Sequence, residues 1–380
     1  MDILFLTVSI GAGHMKAAES VKNHVQQKYP GSRAMIVDTL KYINPLIDKL
    51  VIGGYLNAVR RTPQIYGKLY ELSESGDNIY YLSGAVNRIL SLKLIRLIKE
   101  FSPSVIVCTH PFPLQMISGL KAKKEISTPT MAILTDYVSH PMWLHENVDS
   151  YVVAHEGMKQ EMIRKGVPHE IIYPFGIPVS DTFLQKKNKK AVLEEIGLED
   201  KPTALIMGGS LGLGEIENTF LSLLHNKSDH QIIAVAGMNE KLMKQLQSYS
   251  LGSDKKVKVV GFTDKISDLM DAADILVTKP GGMTISEALA KELPIFVISP
   301  LPGHEEGNAD FLVKNGLAVK SSSISELGRD IQHVMNNPHR IRHMKEMAKQ
   351  LYKLNSSENT VNLMKSLVDM HDPDIRSGVI

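Results

Sequence analysis

The chain has 380 residues, with 43 Lys and Arg against 41 Asp and Glu, a formal charge of +2. That length exceeds what one hydrophobic core usually serves and points to two domains, while the balanced charge gives no electrostatic case for a nucleic-acid partner. A single cysteine, Cys108, excludes a disulfide framework and argues against a cysteine-based metal site, in keeping with a reducing, cytoplasmic setting.

The first apolar run, residues 3–8, has no basic segment ahead of it and is too short for a leader, so it reads as a strand. It leads into Gly11 and Gly13, and a helical pattern follows from about Met15. Such a strand–turn–helix entry leaves the first helical N–H groups unpaired and favours an anion. His14 stands directly behind the turn, where a side chain projects at the carboxyl end of the sheet. A neutral imidazole there can accept a proton near pH 7; the alternative is a histidine that braces the turn. The loop is a poor dinucleotide motif. Lys16 occupies the place of the third glycine of G-x-G-x-x-G, although Asp38 ends the second strand where a ribose-binding acid would sit.

Further apolar runs alternate with helical periodicity, the pattern of parallel sheets covered by helices. After "ILFLTV" come "AMIVD", "SVIVCTH", "TMAILTD", "SYVVAH" and "IIYPFG". A second series follows: "TALIMGG", "QIIAVAG", "VKVVGF", "DILVTKPGG", "PIFVISP" and "GLAVK". The expectation is an α/β protein of two Rossmann-like domains, residues 1–177 and 178–350, with a helical tail over 351–380 that would cross back to the first. The linker falls in "GIPVSDTFLQKKNKKAVLEEIG", whose basic run Lys186–Lys190 reads as a solvated face or loop. No run approaches the ~18 apolar residues of a membrane span, so any membrane role is peripheral.

The densest chemistry lies in residues 276–316. The turn Lys279-Pro280-Gly281-Gly282 opens a helix near Thr284, and its glycines let backbone N–H groups approach a pyrophosphate while Thr284 and Ser286 add hydroxyls. Glu287, one turn on, is placed to accept two hydrogen bonds from a ribose diol. After the next strand His304, Glu305 and Asn308 form a polar loop suited to a hydroxyl-rich ligand.

Residues 276–316 resemble the donor-binding signature of the GT-B glycosyltransferases of family 28, and "SIGAGHMKAAES" resembles the G-x-G-H loop of that family's acceptor domain. "ILTDYVSHPMWLHENVDSYVVAHEGM" is similar to a stretch of the bacterial diacylglycerol glucosyltransferases and plant monogalactosyldiacylglycerol synthases, and "KPGGMTISEALA" and "PGHEEGNA" match the bacterial branch. The resemblance implies two domains facing a central cleft and inverting transfer of a hexose, glucose favoured, from a UDP-sugar to a membrane lipid hydroxyl, diacylglycerol first. It implies that Gly281, Gly282 and Thr284 hold the diphosphate, Glu287 the ribose, and His304, Glu305 and Asn308 the sugar. Phe262 would lie against the uracil, with Gly208, Gly209 and Ser210 lining the cleft.

On the acceptor side the resemblance implies His14 as general base, with Gly11, Gly13 and Trp143 beside it. The family commonly has glutamine at the position of His304, and plant members carry an acid where Ser9 stands, so assistance to His14 would come from Asp136 or His140. Residues 42–72, with Arg60 and Arg61, resemble the family's membrane-facing part. Apolar residues there would insert at headgroup level while basic ones meet anionic lipid on the inner face of the cell membrane; a core helix is the alternative. Outside the polar end at Asp372-Pro373-Asp374 no Asp-x-Asp pair or His cluster suggests an obligatory metal, and no cofactor is implied. A UDP-sugar 2-epimerase or a non-catalytic sugar-nucleotide sensor are the competing readings.

Overall fold

The computed structural model describes residues 1–9, 11–45, 84–212, 215–321 and 323–371. The chain divides into two compact units. The first comprises residues up to Ser180, Pro302–His304 and the chain from Asn355 on; the second is Asp181–Leu301 and Glu305–Leu354.

Each unit is built on one parallel six-stranded sheet, and all twelve apolar runs form its strands. The first sheet holds β1 (Asp2–Thr7), β2 (Arg33–Asp38), β3 (Val105–Cys108), β4 (Thr130–Ile133), β5 (Ser150–Val152) and β6 (Ile172–Tyr173), ordered β2-β1-β3-β4-β5-β6. Its register pairs Phe5 with Ile36 on one side and with Val107 on the other. The second sheet holds β7 (Thr203–Met207), β8 (Gln231–Val235), β9 (Val257–Val260), β10 (Ile275–Thr278), β11 (Ile295–Val297) and β12 (Ala318–Lys320), ordered β12-β11-β10-β7-β8-β9. Counted from its own first strand this is the dinucleotide-fold order 3-2-1-4-5-6. In both sheets the order reverses beside the first strand, so one switch point lies between β1 and β3 and another between β7 and β10. Ligands of open α/β sheets bind at the carboxyl ends of such strands.

Both faces of each sheet are covered, which is why the strands are continuous apolar runs. In the first core Ile3, Phe5, Val105, Val107 and Ile133 pack with Ala18, Val21 and Val25 of the helix Gly13–Lys28. Val361, Leu363, Met364 and Leu367 of the helix Ser356–His371 complete it. Ser356 anchors that helix by donating its hydroxyl to the Gly176 carbonyl at 2.7 Å. The second core joins Ala204, Ile206, Ile232, Val277 and Phe296 to Phe220, Leu327 and Met344.

The basic run 186–190 is more than a solvated loop. Lys186 pairs with Glu292, Lys187 with Asp268 and Lys189 with Asp274, at 2.9, 2.9 and 2.6 Å. Beneath them the buried Lys291 ammonium meets Asp271 at 2.6 Å and also donates to the Gln185 carbonyl. The run is stapled to the second unit, although its outer charges stay in water and add little stability.

Candidate active site

At the first switch point β1 ends and the chain turns through Gly11, whose φ of +76° is a left-handed conformation that a Cβ would strain. Gly13 then starts the helix that carries His14. The His14 ring is partly buried, and its Nδ1 lies 2.7 Å from the Thr109 carbonyl and 2.8 Å from the Thr135 hydroxyl. A carbonyl can only accept, so Nδ1 carries the hydrogen and the two oxygens share it. The tautomer this assigns leaves the Nε2 lone pair free to take a proton. Burial holds the His14 pKa below the ordinary histidine value, opposed by the negative charge of Asp136 and by the bond to Thr109. The ring is therefore neutral near pH 7.

His110, which sequence reasoning passed over, packs edge-on to His14 with ring centroids 4.6 Å apart. Burial, together with His14 itself, keeps its pKa well below the ordinary value. Its Nδ1 accepts the Phe112 N–H at 3.1 Å and caps the helix Pro111–Ala122. The same device recurs along the sheet. His140 accepts from Met142 N–H at 3.2 Å at the head of the turn Pro141–Trp143, and His155 accepts from Met158 N–H at 3.2 Å before the helix Glu156–Arg164. Each histidine satisfies an N–H that the start of a helical turn leaves orphaned. His140 thus has a structural task at Nδ1, whereas Asp136 acts electrostatically on His14. Trp143, expected at the acceptor or membrane face, is only 3% exposed, so its ring belongs to the packing of the first unit and not to a bilayer surface. Arg60 and Arg61 lie outside the described residues.

At the second switch point the backbone dominates. β7 runs into Gly208, Gly209 and Ser210, and Met238 N–H donates to the Ser210 carbonyl at 2.9 Å. The loops after β7 and β8 touch so closely that a Cβ on Gly212 would come within 2.3 Å of the Ala236 carbonyl oxygen. Gly281 is the N-cap of the helix Gly282–Ala290, with no side chain capping it, and a Cβ built there meets nothing within 4 Å. The open space and uncapped N–H groups suit an anion. Thr284 and Glu287, three apart, share the partly exposed face of an otherwise buried helix. Ser286 turns inward instead and donates to the Gly282 carbonyl at 2.8 Å. Phe262, just past β9, is 66% exposed, unusual for so large an apolar ring.

The polar loop after β11 is arranged differently from its sequence reading. His304 starts the helix His304–Lys314 and is partly exposed. Glu305 is buried; one carboxylate oxygen accepts from Lys279 Nζ at 2.8 Å and the other from Leu301 N–H at 2.8 Å. Asn308 is fully buried and donates its amide to the Pro280 carbonyl at 3.0 Å. Both therefore brace the turn Lys279–Gly282, and polar atoms expected on a sugar are bonded to protein. The described residues hold no cluster of three or more His, Cys, Asp or Glu able to bind a metal.

Residues 14–179 match the family model for monogalactosyldiacylglycerol synthase, and residues 203–363 match that for the glycosyltransferase family 28 C-terminal domain. A processive diacylglycerol beta-glucosyltransferase of Bacillus cereus is 30% identical over 367 residues, 95% of this chain and 92% of that protein. MurG of Acinetobacter baumannii shares the fold with a TM-score of 0.63 and 16% identity, over 96% of this chain and 99% of that one. A UDP-GlcNAc 2-epimerase from Neisseria meningitidis does so with a TM-score of 0.62 and 15% identity, over 96% and 100%. Likeness at those identities shows the fold alone, but the sequence match runs through both units and shows more: the chain belongs to the GT-B glycosyltransferase family of the monogalactosyldiacylglycerol synthases and bacterial diacylglycerol glucosyltransferases.

Proposed function

We propose that this glycosyltransferase moves a hexose, glucose favoured, from a UDP-sugar to the free hydroxyl of diacylglycerol, with inversion at the anomeric carbon, at an anionic membrane surface. The observation that carries the reading is the state of His14: neutral, its Nδ1–H engaged by Thr109, its Nε2 open as a base. The acceptor O–H gives its proton to that nitrogen as the oxygen bonds to the anomeric carbon. The bond from that carbon to the diphosphate oxygen breaks, and UDP leaves with the electron pair. N–H groups at the head of the helix Gly282–Ala290 meet the charge that develops. Glu287 accepts from the ribose hydroxyls, and Phe262 offers a face for the uracil. Diacylglycerol is favoured as acceptor because the 30% identical relative is named for it.

Incubation with UDP-glucose, with and without diacylglycerol, read by mass spectrometry of lipid and nucleotide products, tests the proposal. Glucosyl-diacylglycerol formed only in the presence of lipid is the expected result. Conversion of the UDP-sugar without lipid would identify an epimerase, and binding without turnover would identify a sensor.

A further inference from the structure

The helix Pro338–Leu351 and the two residues after it carry Arg340, Arg342, Lys345, Lys349 and Lys353 against one acid, Glu346. That is a net +4 in 16 residues, twice the +2 of the whole chain. All five basic side chains are exposed, and none has an acidic side chain within ion-pair distance among the described residues. Helices elsewhere in the chain pair such charges, as Lys16 does with Glu19, Arg96 with Glu100 and Arg329 with Glu326.

Folding does not account for this concentration. Met344 and Ala348 hold the helix to its unit, where it packs on the helices Gly282–Ala290 and Ile324–Met335. Pro338 and the Asn337 cap, which accepts the Arg340 N–H at 3.1 Å, already start it. Arg340 and Arg342 lie in its first turns, where the macrodipole favours acids and disfavours cations. Just past the helix Leu354 is 71% exposed beside Lys353. Long basic side chains around a protruding leucine match a bilayer interface, where apolar atoms enter the headgroup region and the charges meet lipid phosphate.

We infer that the helix Pro338–Leu351, with Lys353 and Leu354, is an anionic-bilayer contact of the second unit. Its choice of lipid as partner rests on the diacylglycerol reading above.

The full chain is co-sedimented with phosphatidylcholine vesicles with and without phosphatidylglycerol, at low and high salt. It is compared with the variant Arg340→Gln, Arg342→Gln, Lys345→Gln and Lys349→Gln, since glutamine keeps helix propensity. A charge near an anionic surface is worth roughly fivefold in partitioning, so the variant is expected to lose at least about tenfold of its binding to anionic vesicles. Arg340→Lys with Arg342→Lys is expected to retain it. Turnover of detergent-dispersed diacylglycerol by the glutamine variant is expected to equal that of the parent, which separates this inference from the function: a parent inactive in detergent overturns the function, whatever the vesicles show. Equal vesicle binding by parent and glutamine variant, or a parent that binds duplex DNA but no vesicles, overturns the inference.

Discussion

The carboxyl ends of the two sheets share an address in the fold and almost nothing in chemistry. Around the first, histidines line up behind successive strands: His14, His110, His140 and His155, each with its Nδ1 committed to a backbone group. Around the second, glycine loops and an uncapped helix expose N–H groups, and the charged residues Lys279 and Glu305 hold the loop from behind. A proton acceptor must be a side chain of suitable pKa held in one tautomer, whereas a diphosphate is bound best by many fixed backbone dipoles. Duplication of one architecture has therefore not duplicated one site.

If this division of labour holds, the largest effect comes from His14→Ala, with turnover expected to fall by about 10²–10⁴-fold while UDP affinity stays within about threefold. Steady-state kinetics with calorimetry checks this; a fully active, stable variant would move the search for the base to Asp136 and His140. Next comes Glu305→Gln, which strands the Lys279 ammonium and is expected to cost about 3 kcal/mol of unfolding free energy. Denaturant titration reads it, and a variant of parental stability that has lost only turnover would give Glu305 back to the sugar. Glu287→Ala is expected to weaken UDP binding by about 1.5–3 kcal/mol with the stability of the first unit untouched. Unchanged affinity would remove Glu287 from the nucleotide.

The smallest effect sharpens the first site. The working form of His14 is unprotonated, so kcat/KM should be level at neutral pH and fall only on acidification, with its inflection below the ordinary 6.5. Asp136→Asn removes the charge that raises the His14 pKa and should move that inflection lower still. If activity instead disappears at every pH, Asp136 is itself the base.

The strands were readable because parallel sheets covered on both faces leave uninterrupted apolar runs, and the glycine turns because few other residues permit them. His110 was not, although it closes the run "SVIVCTH" in plain view. Its place beside His14 depends on β3 lying next to β1, a fact of strand order that no local pattern encodes. Glu305 and Asn308, buried and bonded to the turn Lys279–Gly282, show the opposite limit. A polar cluster after a strand has the same spelling whether it faces a ligand or turns inward to hold a neighbouring loop, and only burial tells the two apart. Trp143, placed by the family resemblance, is buried, and an aromatic ring serves a core as well as an interface.

The helix Ser356–His371 has a bearing on biogenesis. Val361, Leu363, Met364 and Leu367 wall in the first sheet, yet a ribosome makes them after the whole of the second unit, which is contiguous but for three residues. During synthesis the second unit can close while the first still lacks part of its cover. A nascent chain of this protein thus carries an apolar, incompletely shielded parallel sheet for the time needed to translate about 175 residues, the circumstance in which aggregation competes and chaperones act.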